Sequence, residues 1–198
     1  MMRILCVSCL TENEKLVVAS KNEEGEWIEH EEFELRSSFI TSWMKAAEGN
    51  VYLARRGVSG LVSICSLKIP DSTGRFVVIL LPDTAKKVYH ANVINPEKLE
   101  FRKGMSLVTN YSKLPALVML GKKRTEVMPG KQVTARALAG KDGMYRMLVG
   151  YQDESKELIP CYDRYVSANP DARDFLLLFP DATTGLKVFS LSEFGPFE

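Results

Sequence analysis

Three groups of residues have the types that chemistry needs. The first is Cys6-x-x-Cys9, the spacing of half a zinc site or of a redox pair. Neither a second CxxC nor a His pair completes a metal set, so the sequence implies no metal ion and no cofactor. "RILCVSCL" reads as a strand, on which residues three apart point to opposite faces. The two thiols are therefore expected as small, partly buried side chains. The second group is the two histidines. His30 sits among Glu29, Glu31 and Glu32 on an expected exposed strand, and His90 follows Tyr89 in another β segment. Neither has a nucleophile in a recognisable setting. The third is the basic run Lys122, Lys123 and Arg124. It follows a single Gly and lacks the spacing of a phosphate-binding loop. No nucleophile elbow, HExxH or EF-hand loop is present, so no catalytic residue is assigned and the chain is expected not to be an enzyme. Only a carboxylate pair drawn from the 25 acids stays open as hydrolytic chemistry.

Charge is distributed unevenly. Glu12 to Glu34 holds nine acids and two bases, net −7, whereas Lys98 to Arg146 holds eleven bases and three acids, net +8. The formal total is +1, so no global field draws the chain to nucleic acid or membrane. Three readings of the polarity stand: neutralisation between the two regions, two separately solvated faces, or a basic face that binds an anionic partner through Lys122, Lys123 and Arg124. Nucleic acid ranks last, because the basic run has little aromatic interleaving. Trp27, Trp43, Tyr111, Tyr151, Tyr162 and Tyr165 are candidates for a sugar-stacking platform, set against ordinary packing.

The elements that must hold these residues are short. Apolar segments of four to eight residues, rich in Val, Ile, Leu, Phe, Tyr and Thr, alternate with Gly, Pro, Asn and Asp. Fifteen strands are expected, near 3–9, 15–20, 26–35, 50–54, 61–68, 75–81, 87–94, 106–111, 116–121, 123–128, 131–138, 144–151, 158–165, 174–179 and 186–191. Val133, Ala135 and Ala137 alternate with polar neighbours, as Phe33 and Leu35 do, the mark of a half-solvated antiparallel strand. "FVVILL" and "FLLLF" do not alternate and predict strands buried on both faces. Pro129-Gly130 suits a type II turn, and Asp142-Gly143 a two-residue hairpin. One helix of about three turns is expected in "SSFITSWMKAAEGN", capped by Ser38 with Phe39, Trp43 and Ala46–Ala47 on one face.

One sentence is written twice. "GRFVVILLPDTAKKVY" and "ARDFLLLFPDATTGLKVF" place Pro82-Asp83 and Pro180-Asp181 98 residues apart. The fold class is therefore all-β: two similar, mainly antiparallel, sandwich-like units with little helix, residues 1–97 and 98–198, either separate or fused. Each has about the size of an immunoglobulin-like sandwich. Each Pro should end a buried strand, and each Asp should fold onto the following backbone as an Asx-turn.

Residues 75–191 resemble a family of uncharacterised, mostly exported bacterial β proteins. The likeness rests on Asn110 to Ser112, Leu120-Gly121, Pro129-Gly130 and the strand Arg173 to Phe179. It implies a binding or assembly module of the cell envelope or exterior and no particular activity. The implied partner is another protein or a second copy, with an anionic polysaccharide as a further candidate. A carbohydrate-binding module or a carboxylate-dependent glycan hydrolase is the alternative. The start, "MMRILCVSCL", is not a complete signal peptide, so the expected place is exported or periplasmic behind a removed leader, and cytoplasmic otherwise. No apolar run approaches the ~20 residues of a membrane helix.

Overall fold

The computed structural model describes every residue except 72, 154, 156, 196 and 198. The chain divides into two compact units, Met1–Pro96 and Glu97–Glu198. The first contains β1 (Met2–Cys6), β2 (Glu14–Lys21), β3 (Trp27–Leu35), β4 (Phe39–Ile40), β5 (Gly49–Gly57), β6 (Gly60–Ile69), β7 (Phe76–Asp83) and β8 (Val88–Ile94). The second contains β9 (Met105–Asn110), β10 (Ala116–Leu120), β11 (Lys123–Val127), β12 (Gln132–Ala135), β13 (Met144–Gln152), β14 (Leu158–Ser167), β15 (Ala172–Asp181) and β16 (Gly185–Phe194). All fifteen expected strands are found. The sixteenth, β4, lies where a helix was expected.

Each unit is a pair of four-stranded sheets. The first has orders β4-β1-β7-β8 and β3-β2-β5-β6; the second has β12-β9-β15-β16 and β11-β10-β13-β14. Adding eight to each strand number converts the first pair into the second, so the two units share one topology. The echo in the sequence marks corresponding strands, β7 and β15. In both units the first strand and this long apolar strand pair in parallel, with Cys6 opposite Leu80 and Asn110 opposite Leu178. All other pairings are antiparallel. The parallel pair was not foreseen.

The apolar runs behave as expected: Val77 to Leu80 and Phe175 to Leu178 are fully buried on both strand faces. Between the sheets of the first unit lies a core built on Met2, Ile4, Leu16, Val18, Val51, Leu53, Phe76, Val78 and Leu80. The core of the second is built on Val108, Val118, Leu120, Tyr145, Met147, Leu176 and Leu178. The alternation read along β12 is correct, since Ala135 is core and Val133 and Ala137 pack against it.

Three local expectations need correction. Residues 38–48 form no helix: Phe39–Ile40 pair with β1, and Met44 bridges Met2 through two backbone hydrogen bonds of 2.9 and 2.7 Å. Pro82 and Pro180 do not end their strands, which run one pair further to Asp83–Val88 and Asp181–Gly185. Both prolines lie past the last residue paired with the parallel neighbour, Leu80 or Leu178, so a missing N–H leaves no gap in that ladder. Asp142-Gly143 forms a turn that leads into β13, but its flanking strands are not partners: β12 pairs with β9, and β13 with β10 and β14.

The remaining turn chemistry is as read. Lys131 N donates to Met128 O with Gly130 at φ 69°, the type II geometry. Asp83 Oδ1 accepts from Lys86 N at 3.0 Å, and Asp181 Oδ1 from Thr183 N and Thr184 N at 2.9 and 2.8 Å. These backbone donors hold both carboxyls below the usual range.

Candidate functional site

The strands of the second unit build a pocket where β9 and β15 begin their parallel pairing. Ser106 and Asp174 are opposed in that register. Their side chains point inward, two residues before core residues Val108 and Leu176. Tyr145, near the start of β13, joins them. Arg136 follows the last residue of β12, and Lys103 precedes β9; Arg136 Nη2 donates to Lys103 O at 3.5 Å. Asn169 closes the space from the β14–β15 loop. The volume is ≈ 220 Å³.

Burial pushes the Asp174 carboxyl above its ordinary range, partly offset by Ser192 Oγ, which donates to Oδ1 at 2.6 Å. Burial, with Asp174 nearby, pushes the Tyr145 hydroxyl up to about 12, so it stays protonated and able to donate. The pocket thus presents two exposed cations at its mouth and three hydroxyl or carboxyl groups within. Such a set orients an anionic group outside and hydroxyl groups inside.

The first unit fills the same place with core. The 98-residue echo sets Phe76 where Asp174 stands, and the parallel register sets Met2 where Ser106 stands. The matching bulges at Leu53/Ala54 and Val149/Gly150 set Gly49 where Tyr145 stands. Met2 and Phe76 are each at most 1 % exposed. One copy of the fold is plugged by apolar side chains, and the other is opened by polar ones.

None of these pocket residues was singled out from the sequence. The residues that were stand elsewhere. Lys122, Lys123 and Arg124 form the exposed tip of the β10–β11 hairpin, and none has an ion-pair partner among the described residues. Arg124 also lines a pocket of ≈ 390 Å³ with Pro115, Leu117, Glu126 and Gln152. The acidic region 12–34 is met within its own unit: Arg56 reaches Glu29 at 2.7 Å and Glu32 at 3.6 Å on β3, and Arg55 reaches Glu14 at 3.5 Å on β2. His30 and His90 are exposed, hydrogen-bonded to Ser20 and Asp83. The aromatic candidates are used separately. Trp27 meets Tyr52 edge-on, Tyr111 stacks on Phe179, Trp43 lies under Arg3, and only Tyr165 is mostly exposed.

Cys6 and Cys9 differ from expectation. β1 ends at Cys6, and the chain bends at Val7 and Ser8, bringing Cys9 Sγ to 3.5 Å from Cys6 Sγ. The opposite-face argument assumed a strand running through both. Cys9 N donates to Ser37 Oγ at 2.8 Å, and Leu10 N to the Tyr89 hydroxyl at 2.6 Å. Burial raises both thiols, Cys6 the more, and pushes Tyr89 up to about 12. All four cysteines are thiols, and no group of three or more His, Cys, Asp or Glu among the described residues could hold a metal.

Fold and site together define an all-β protein of two like units, with a polar pocket in the second. Comparison with protein-family models gave no match, and comparison with curated proteins gave none either. Among the described residues, no helix is long and apolar enough to cross a membrane.

Proposed function

We propose that the protein is a non-enzymatic binding module whose second unit receives one end group of an anionic glycan. The observation that carries this reading is the exchange of buried Met2 and Phe76 in one unit for Ser106 and Asp174 in the other. Replacing core with a partly buried carboxyl and a hydroxyl lowers stability, and a bound ligand is the compensating return. Arg136 and Lys103 suit the carboxylate or sulfate of an acidic sugar; Asp174, Tyr145 and Asn169 suit its hydroxyls. The space is small beside the ~300–1,000 Å³ of drug-sized sites, which fits a chain end or a single residue. The cell envelope or exterior as the place of action rests on the family resemblance of residues 75–191.

The test is calorimetric titration of the full chain with glucuronate- and galacturonate-terminated oligosaccharides. Lys103→Ala and Arg136→Ala should each weaken binding about tenfold, the effect of ~1.4 kcal/mol. Joint replacement of Lys122, Lys123 and Arg124 by Ala should leave it unchanged. Binding lost only with the hairpin variant, or no binding at all, overturns the reading. Release of shortened sugars from the same mixtures would favour the alternative, a carboxylate-dependent hydrolase, in which Asp174 needs a second acid.

A further inference from the structure

We infer that Cys6 and Cys9 are a reversible dithiol–disulfide pair that locks a corner of the first unit, the task Asn110 performs in the second. The parallel registers make Cys6 and Asn110 equivalent, since Cys6 faces Leu80 and Asn110 faces Leu178, its partner in the echo. Asn110 is fully buried and ties its corner at four points. Its Nδ2 donates to Leu114 O and Val127 O, each at 2.8 Å; its Oδ1 accepts from Ser112 N at 2.9 Å and Ser112 Oγ at 2.7 Å. The same backbone turn closes both corners: Gly130 N donates to Asn110 O and Ser38 N to Cys6 O, each at 2.8 Å.

A cysteine at this position cannot make those bonds. What it has instead is a second thiol, delivered by the bend at Val7–Ser8 to 3.5 Å. A disulfide needs sulfurs about 2.05 Å apart, so closure asks for a shift of about 1.5 Å in a loop, with the β1 ladder intact. The corner is already held near the closed arrangement, because Ser37 and Tyr89 fix the backbone of Cys9 and Leu10. Cys65 and Cys161 bond backbone carbonyls of Ser66 and Thr184 and serve as internal comparisons.

The oxidant is a small-molecule disulfide. Cys9, the less buried thiol, loses its proton, and its thiolate attacks one sulfur of that disulfide. The oxidant's S–S bond breaks, one small thiolate leaves, and a mixed disulfide forms on Cys9. Cys6 then gives its proton to water and attacks the Cys9 sulfur, expelling the second small thiolate. Two protein thiols are oxidised, and one disulfide is reduced to two thiols.

The experiment equilibrates the full chain with mixtures of reduced and oxidised glutathione, blocks remaining thiols by alkylation, and weighs tryptic peptides. Ile4 to Lys15 carries both cysteines. The expected product is this peptide lighter by two hydrogens, without glutathione, restored by dithiothreitol, from a chain that melts higher than the reduced one. Cys9→Ser should abolish the shift, and Cys6→Ser should leave glutathione trapped on Cys9. The inference is overturned if wild-type Cys9 keeps its glutathione, if both thiols stay alkylatable under full oxidation, or if the oxidised chain melts lower.

Discussion

Asp174 sits where its counterpart is Phe76, and the cost of that exchange depends on pH. Burial raises its folded-state pKa above the unfolded value. Below the unfolded pKa the carboxyl is neutral in both states and nothing is lost. As pH rises through the folded value, the folded chain must carry a partly buried charge and stability falls. Asp174→Asn keeps an acceptor for Ser192 Oγ and removes the charge. At pH 7 it should raise the melting temperature by roughly 2–4 °C, the shift for about 1 kcal/mol in a chain of this length after allowing for solvent at the mouth. At pH 3 the difference should vanish. Calorimetric scans across pH test this, and a gain that persists at pH 3 would assign it to packing instead of charge. The same residue shows what the sequence held. Setting "GRFVVILL" above "ARDFLLLF" puts an acid in place of a core phenylalanine. The repeat was legible, but the mismatch within it was the signal for the site. The cysteine pair was misplaced for a related reason, because strand alternation applies only up to the residue where the strand bends.

Among the elements, strands were legible where side-chain period or turn residues spoke for them. β4 was not, because only Phe39 and Ile40 pair, too few to show alternation. Phe39, Trp43 and Ala46–Ala47 recur at helical spacing, yet Met44 is tied to Met2, and Trp43 lies 4.1 Å from the Arg3 guanidinium. Tertiary pairing decided the segment over local pattern. Turns offer a sharper comparison. Ser38 has φ 54° where the second unit has Gly130 at 69°. Its side chain is exposed and no turn bond uses it. A left-handed non-glycine residue costs ~1–2 kcal/mol, and a glycine there gives back ~0.5–1 kcal/mol as entropy. Ser38→Gly should therefore stabilise the first unit by about 0.5–1 kcal/mol. The opposite change, Gly130→Ala, should cost the same ~0.5–1 kcal/mol net, since a Cβ there meets nothing within 4 Å. Gly185→Ala should cost more, because its Cβ would lie 2.5 Å from the Tyr151 ring. Urea unfolding of the three variants checks the order, and equal losses at Gly130 and Gly185 would contradict the steric part.

For the whole molecule, duplication separates what the fold requires from what one copy has added. Strand order, the parallel pair, the Pro-Asp hairpin and the corner at Ser38 or Gly130 occur twice, so they belong to the fold. The polar trio Ser106, Tyr145 and Asp174 occurs once, so the shared topology does not itself require it. Exchanging equivalent residues tests this directly. Ser106→Met with Asp174→Phe would write the first unit's plug into the second. Each side chain gains roughly 1.5–3 kcal/mol on full burial, less ~1–3 kcal/mol if the fit is crowded. The double variant should melt higher than the wild type and bind no acidic sugar. The reverse exchange, Met2→Ser with Phe76→Asp, removes two fully buried side chains from the core and leaves a carboxylate there. A buried Phe truncation alone costs about 3–5 kcal/mol, and an unpaired buried charge adds several more, a loss comparable to the whole ~5–15 kcal/mol margin of a domain. That variant should fail to fold its first unit, seen as loss of amide protection in residues 1–96. A plugged second unit that is less stable than the wild type would mean that Ser106 and Asp174 are structural. A reverse variant that folds normally would mean that the two ends were never equivalent. Either result removes the stability argument for the pocket, whereas the expected pair of results makes the polar trio a gain that only a ligand repays.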